Sequence, residues 1–264
     1  MIKALIFDLD GTLIDTLKDI MGAMNETLAH FSLSPQPITV YQALIGGGSK
    51  NMVQSLLSAF ALSTSTSSSS HSSLLSIPSL VGDSFPNLDE VYAFYLRHYG
   101  ENLIKKTVVY DGVIAALQQW QQQGIKLAVV TNKHHQQATY LLETLFDTDN
   151  AKGIHFSLLQ GLGDEFSKKP APDSTLHVLN QLNVKAYEAL FIGDTVVDQQ
   201  TANNAKVEFV FADWGYGRQD ELIPQHKLNS ISHIDELQHR LESAKCSLDK
   251  HDMNESVLAT EGRK

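Results

Sequence analysis

The sequence has a single cysteine, Cys246, and only two tryptophans among its 264 residues. One cysteine cannot close an intramolecular disulfide, and it excludes zinc modules built on several cysteines. Long apolar runs are missing too: none approaches the ~20 residues that span a bilayer. Positive charge is in short supply. Twenty lysines and arginines face thirty aspartates and glutamates, a formal net charge of −10. An acidic chain has no general grip on nucleic-acid phosphates, so neither a nucleic-acid nor a membrane partner is expected. Met1-Ile2-Lys3 leads straight into a strand-like run, without the apolar stretch and small-residue cleavage site of a secretory signal. The expectation is a cytoplasmic protein, monomeric or homodimeric.

What remains is a globular composition, 42% hydrophobic and 19% charged, long enough for a substantial core. Ala4 to Leu9 reads as a buried strand closed by Asp-Leu-Asp-Gly. Leu17, Ile20, Met21, Met24, Leu28 and Phe31 then recur at helical spacing. Pro35 and Pro37 end that helix, Gly46 to Gly48 interrupt the next, and a further helix is expected over Leu88 to Leu103. Between them, Ser63 to Ser76 holds nine serines and two threonines in fourteen residues. Such a tract buries too little apolar surface to offset the entropy of ordering, which predicts a flexible insertion.

From Asp111 helices and strands alternate. Strands are expected at Ile125–Thr131, Phe156–Gln160, Ala189–Ile192 and Val207–Ala212, with helices between them and a last one near Asp235–Leu241. The pattern predicts an α/β fold, a Rossmann-like parallel sheet with helices on both faces. Its core takes residues 1–13 and 107–243. The stretch 14–106 reads as an inserted all-helical cap, and 244–264 as a flexible polar tail.

In open α/β sheets ligands bind beyond the carboxyl ends of the strands. Four polar sites fall there: Asp8 and Asp10, then Thr131-Asn132-Lys133, then Lys169 before Pro170, then Asp194 with Asp198. Gathering several carboxylates is costly unless a cation neutralises them, and hard oxygen ligands favour Mg²⁺. Lys169 and the Thr131 hydroxyl suit phosphate oxygens. A carboxylate can attack phosphorus in line, and a second can protonate the leaving alkoxide and then activate water. Asp8 and Asp10 suit those roles.

These motifs, in this order, resemble the haloacid dehalogenase-like hydrolases, in particular their phosphoglycolate phosphatase-like branch with a helical cap. The resemblance runs from Phe7 to about Gly217. It implies that Asp8 is the nucleophile and a Mg²⁺ ligand. Asp10 would be the general acid/base and lend its carbonyl to the metal. Thr131 and Asn132 would hold the phosphoryl group, Lys169 would stabilise its charge, Asp194 would bind Mg²⁺, and Asp198 would orient the surrounding groups. Ile45-Gly46-Gly47-Gly48 resembles that branch's glycine loop, so Gly47 is expected at the substrate. Trp214-Gly215-Tyr216-Gly217 fits as well. Lys206, where the family commonly has glycine, and the serine tract depart from the pattern.

The implied activity is hydrolysis of a small phosphorylated metabolite, 2-phosphoglycolate first. Rivals are a sugar phosphate such as N-acetylmuramate 6-phosphate, a nucleotide or pyrophosphate, or a phosphomutase reaction. A dehalogenase would not need Asp10, and a non-enzymatic module would be marked by loss of Asp8, Asp10 or Asp194. Lys50 follows Ser49 without Walker glycine spacing, and the adjacent His134 and His135 do not make a helical zinc pair. Lys50 and Arg97 are candidate cap cations for a substrate carboxylate.

Overall fold

The structure, a computed structural model, describes residues 1–65, 85–146, 153–163, 165–217 and 226–233. Six parallel strands form the main sheet: β1 (Ala4–Phe7), β4 (Lys126–His134), β5 (Leu158–Leu162), β6 (Ala189–Gly193), β7 (Glu208–Ala212) and β8 (His226–Leu228). Their order is β5-β4-β1-β6-β7-β8. The chain moves outward from β1 through β4 to β5, then returns to the other side of β1. Strand order therefore reverses between β1 and β6, and the crevice at that reversal is where such sheets take ligands.

The apolar pattern accounts for the layers. Successive side chains of a strand point to opposite faces. Leu5 and Phe7 join a core with α5 (Val113–Gln122) and α6 (His135–Phe146). Ala4 and Ile6 join the opposite core, with α7 (Asp173–Gln181) and α8 (Val196–Ala205). All four β1 residues are fully buried, as a strand covered on both faces must be. Trp120 of α5 stacks on Phe7 with ring centroids 6.0 Å apart. Lys206 closes α8 with φ 60°, the left-handed cap that glycine adopts most easily.

The cap carries α1 (Leu17–His30), α2 (Ile38–Leu44), α3 (Ser49–Ser65) and α4 (Leu88–Gly100). α1 packs on α2 and α4, and α3 packs on α4. The segment is not helical from its first residue. Ile14–Asp15 is a strand, β2, paired antiparallel with β3 (Val108–Val109). A two-residue strand carries no periodicity to read, so the sequence pattern missed it. This ribbon leads the chain into the cap and out again. Asp19 clasps the returning chain: its carboxylate accepts the N–H groups of Lys105, Lys106 and Thr107 at 2.8–3.0 Å. Most of the serine tract, the helix expected near Asp235–Leu241, and Cys246 lie outside the described residues. Among the described residues no helix is long and apolar enough to cross a membrane.

Candidate active site

Asp8 follows the last residue of β1 and continues its pairing, its N–H donating to Ile192 O at 2.9 Å. Asp194 follows the last residue of β6, the adjacent strand. Both carboxylates thus stand at the reversal of strand order, and both are buried. Asp10 lies past the end of β1, where the chain turns back through Gly11. Gly11 has φ +91°, and a Cβ there would fall 2.3 Å from Asp194 Oδ2. Only glycine allows both that backbone and that approach.

Lys169 ties the buried cluster together. Its ammonium donates to Asp8 Oδ1 at 2.8 Å, Asp198 Oδ1 at 2.6 Å and the Val130 carbonyl at 3.0 Å. Three donor protons meet three acceptors. Burial alone would lower its pKa, but the Asp198 and Asp8 carboxylates outweigh burial and raise it. Lys168, its neighbour in the chain, makes none of these bonds. Asp198 also caps α8, its Oδ2 accepting from the Thr195 N–H at 3.0 Å and hydroxyl at 2.6 Å. Helix cap and lysine anchor are one side chain.

Asp194 Oδ1 accepts from Thr12 Oγ1 at 2.9 Å, and its Oδ2 from the Tyr216 N–H at 2.8 Å. Burial, then the Asp198 and Asp8 charges, push its carboxyl well above the usual carboxylate range. Burial also pushes Asp8 up to about 6, against the pull of Lys169. Ligand atoms of Asp8, Asp194 and Asp198 lie within 4.8 Å of one another. Three carboxylates face one ammonium, which leaves negative charge uncompensated. An all-oxygen donor set with that excess fits a divalent cation. Asp8 and Asp194 would hold it: Asp198 spends one oxygen on the Lys169 ammonium and the other on Thr195, whereas Asp194 accepts only from the neutral Thr12 hydroxyl and the Tyr216 N–H. Asp8 Oδ2 accepts no hydrogen bond among the described residues.

β4 supplies the next group. The sequence pattern stops this strand at Thr131, but it runs to His134. Val130 pairs with Gln160 and His134 with Leu162, so two extra residues bulge out between them. A bulge breaks strict alternation and re-aims side chains, which lets Thr131, Asn132 and Lys133 all line one cavity. The Asn132 side chain is expected at a phosphoryl group, yet here it is spent on backbone. Its Oδ1 accepts Lys169 N–H at 2.8 Å, and its Nδ2 donates to Lys169 O at 3.0 Å and to Gly46 O of the cap at 2.9 Å.

Lys133 has no role in the sequence reading. The structure gives it one: its buried ammonium donates to Asp10 Oδ1 at 2.9 Å and to Tyr99 Oη of α4 at 2.8 Å. Thr16 Oγ1 adds a bond to Asp10 Oδ1 at 2.7 Å. The signal in the sequence was an uncompensated lysine beside Thr131-Asn132. Tyr216 was likewise more than a family mark. Its hydroxyl accepts from Thr16 N–H and Leu17 N–H at 2.7 and 3.1 Å and donates to Asp15 at 2.8 Å, so it caps α1 where the cap begins.

The cavity between sheet and cap is small, ≈ 50 Å³. Ile45, Gly46, Gly48, Ser49, Met52, Tyr95 and Tyr99 close it from the cap side. Gly47 does not line it and faces Asn51. Gly46, with φ +92°, sits over Thr195, 3.0 Å from where a Cβ would be. Lys50 pairs with Asp89 at 2.8 Å, and Arg97 lines a neighbouring groove. Neither lines the catalytic cavity.

The haloacid dehalogenase-like hydrolase family model matches residues 5–212. The phosphoglycolate phosphatase of Aquifex aeolicus (strain VF5) is 31% identical over 236 residues, 88% of this chain and 94% of that protein. That of Mesorhizobium japonicum is 29% identical, over 88% of this chain and 92% of that protein. Among solved structures, a protein from Lactobacillus delbrueckii subsp. bulgaricus assigned as a phosphoglycolate phosphatase superposes with TM-score 0.74 at 25% identity, covering 89% of this chain and 97% of that one. CbbY from Rhodobacter sphaeroides, in complex with phosphate, shares the fold with TM-score 0.68 at 22% identity, covering 89% and 96%. With its aspartates at the reversal of a parallel sheet and a helical cap above them, the chain belongs to the haloacid dehalogenase-like hydrolase family.

Proposed function

We propose that this protein is a Mg²⁺-dependent phosphatase that hydrolyses a small phosphomonoester through an aspartyl-phosphate, with 2-phosphoglycolate as its leading substrate. The observation that carries the reading is Asp8: a buried carboxylate with one oxygen fixed by Lys169 and the other free beside the cavity between sheet and cap. A nucleophile needs that combination of fixed direction and free lone pair.

Asp8 Oδ2 attacks phosphorus, the bond from phosphorus to the alkoxide breaks, and Asp10 gives its proton to the alkoxide. In the second step Asp10, now a carboxylate, takes a proton from water as that water attacks phosphorus. The bond to Asp8 then breaks, releasing phosphate. Lys133 and Thr16 hold Asp10 in place for both steps. Lys169 fixes Asp8 and spreads positive charge toward the transferred group, and Asn132 fixes the Lys169 backbone. Asp8, Asp194 and the Asp10 carbonyl would hold Mg²⁺, which would offset the negative charge of carboxylates and phosphoryl group.

The substrate assignment rests on the relatives named phosphoglycolate phosphatase. The test is phosphate release with Mg²⁺ from 2-phosphoglycolate, N-acetylmuramate 6-phosphate, hexose phosphates and nucleotides. A large kcat/KM preference for 2-phosphoglycolate is expected. Preference for another ester overturns the substrate and keeps the chemistry. No release from any of them contradicts the phosphatase reading.

A further inference from the structure

The two walls of the catalytic cavity treat their polar groups differently. On the core wall, Asp10, Asn132 and Lys133 all have hydrogen-bond partners. On the cap wall, Tyr95 is 1% exposed and lines the cavity, yet its hydroxyl has no hydrogen-bond partner among the described residues. A hydroxyl of a buried side chain left unpaired on a cavity wall is open to a ligand atom that completes the bond.

The N-terminus of α3 meets the same cavity through Gly48 and Ser49. Gly48 O accepts the Met52 N–H at 3.2 Å, which makes Gly48 the residue that opens the helix. Glycine has no side chain with which to cap. The N–H groups of Ser49, Lys50 and Asn51 find no partner among the described residues. A 17-residue helix presents partial positive charge at such an end. The cap wall thus offers donors, and no carboxylate of the cap lines the cavity. Ile45 and Met52 flank it with apolar surface that suits a methylene.

We propose that the Tyr95 hydroxyl and the first turn of α3 form a carboxylate subsite, so that the enzyme selects phosphate esters of short hydroxy acids. This rests on the phosphatase reading and deepens it. Recognition comes from neutral donors and a helix end, with Lys133 left to Asp10 and Tyr99.

The test compares 2-phosphoglycolate with ethyl phosphate, which lacks the carboxylate. Wild-type protein should prefer the acid in kcat/KM, mostly through KM. Tyr95→Phe removes one hydroxyl from a packed ring and should narrow that preference about tenfold, the worth of one charge-assisted hydrogen bond. An unchanged preference overturns the subsite. Both ligands are also titrated calorimetrically into Asp8→Asn protein with and without Tyr95→Phe, which requires no turnover. Weaker binding of the acid alone supports the subsite even if turnover is absent and the phosphatase reading fails. Equal affinities in the two proteins overturn it even if that reading stands.

Discussion

The core side of the cavity holds its charged groups in hydrogen bonds and leaves only Asp8 Oδ2 open among them, whereas the cap side leaves donors open. At the strand ends, each proton of Lys169 has an acceptor and both Asp198 and Asp194 oxygens have donors. Across the cavity, Tyr95 and the first turn of α3 keep unused donors. A saturated network fixes geometry before substrate arrives. An unsaturated one waits for a ligand to complete it. The core therefore determines the chemistry, and the cap determines which alcohol leaves.

Removing the nucleophile gives the largest effect. Asp8→Asn should lower turnover by on the order of 10⁴-fold or more, measured as phosphate release. The fold should survive, and without divalent cations the melting temperature should hold or rise, because one of three crowded carboxylates becomes neutral. Full activity in this variant would remove the core from the account.

Lys169→Met comes next. Asp8 and Asp198 lose their shared partner inside the protein, so stability should fall by about 3–5 kcal/mol in a denaturant titration. Turnover should drop on the order of 10²-fold or more. Lys168→Met should do neither.

The third experiment probes the contact that crosses between the two sides. Lys133 holds Asp10 and is itself held by Tyr99 of the cap. Lys133→Met should cost about 10- to 100-fold in kcat, and Tyr99→Phe less, roughly the worth of one hydrogen bond. In the Lys133→Met background Tyr99→Phe should add almost nothing, since the two act as one unit. Additive losses would mean that cap and core contribute separately.

The smallest effect concerns pH. Burial raises the Asp8 carboxyl to about 6 and Asp194 well above the usual range. A group whose pKa is higher folded than unfolded contributes stability at low pH and loses it as pH rises through the folded value. Metal-free protein should therefore lose stability between about pH 4 and 6 on account of Asp8. A bound cation needs these groups ionised, so the rise in melting temperature on adding Mg²⁺ should be larger at pH 7 than at pH 5. Equal shifts at both values would argue against a cation on these carboxylates.

The sheet was legible because apolar runs of four to six residues, separated by turn signals, have few other readings. Asp8, Lys169 and Asp194 were legible because each is the polar residue next to such a run or beside a proline. What escaped was produced by backbone irregularity and distance. The β4 bulge defeats alternation, so Lys133 gave no periodic sign of facing the site. Tyr95 and Tyr99 sit at core spacing on α4, and nothing in the sequence brings them more than thirty residues forward onto the end of β4. The two-residue β2–β3 ribbon is too short to carry a pattern. Lys50 and Arg97 stood out as cations, but one spends its charge on Asp89 and the other faces a different groove.

The most direct test of the account is to trap the intermediate. The protein is quenched with borohydride during turnover of 2-phosphoglycolate with Mg²⁺, and its peptides are weighed. Borohydride reduces an acyl phosphate to the alcohol, so homoserine should replace aspartate at position 8, only when substrate is present and not in Asp8→Asn protein. Turnover with an unmodified Asp8, or with the reduced residue elsewhere, would contradict the assignment of the nucleophile.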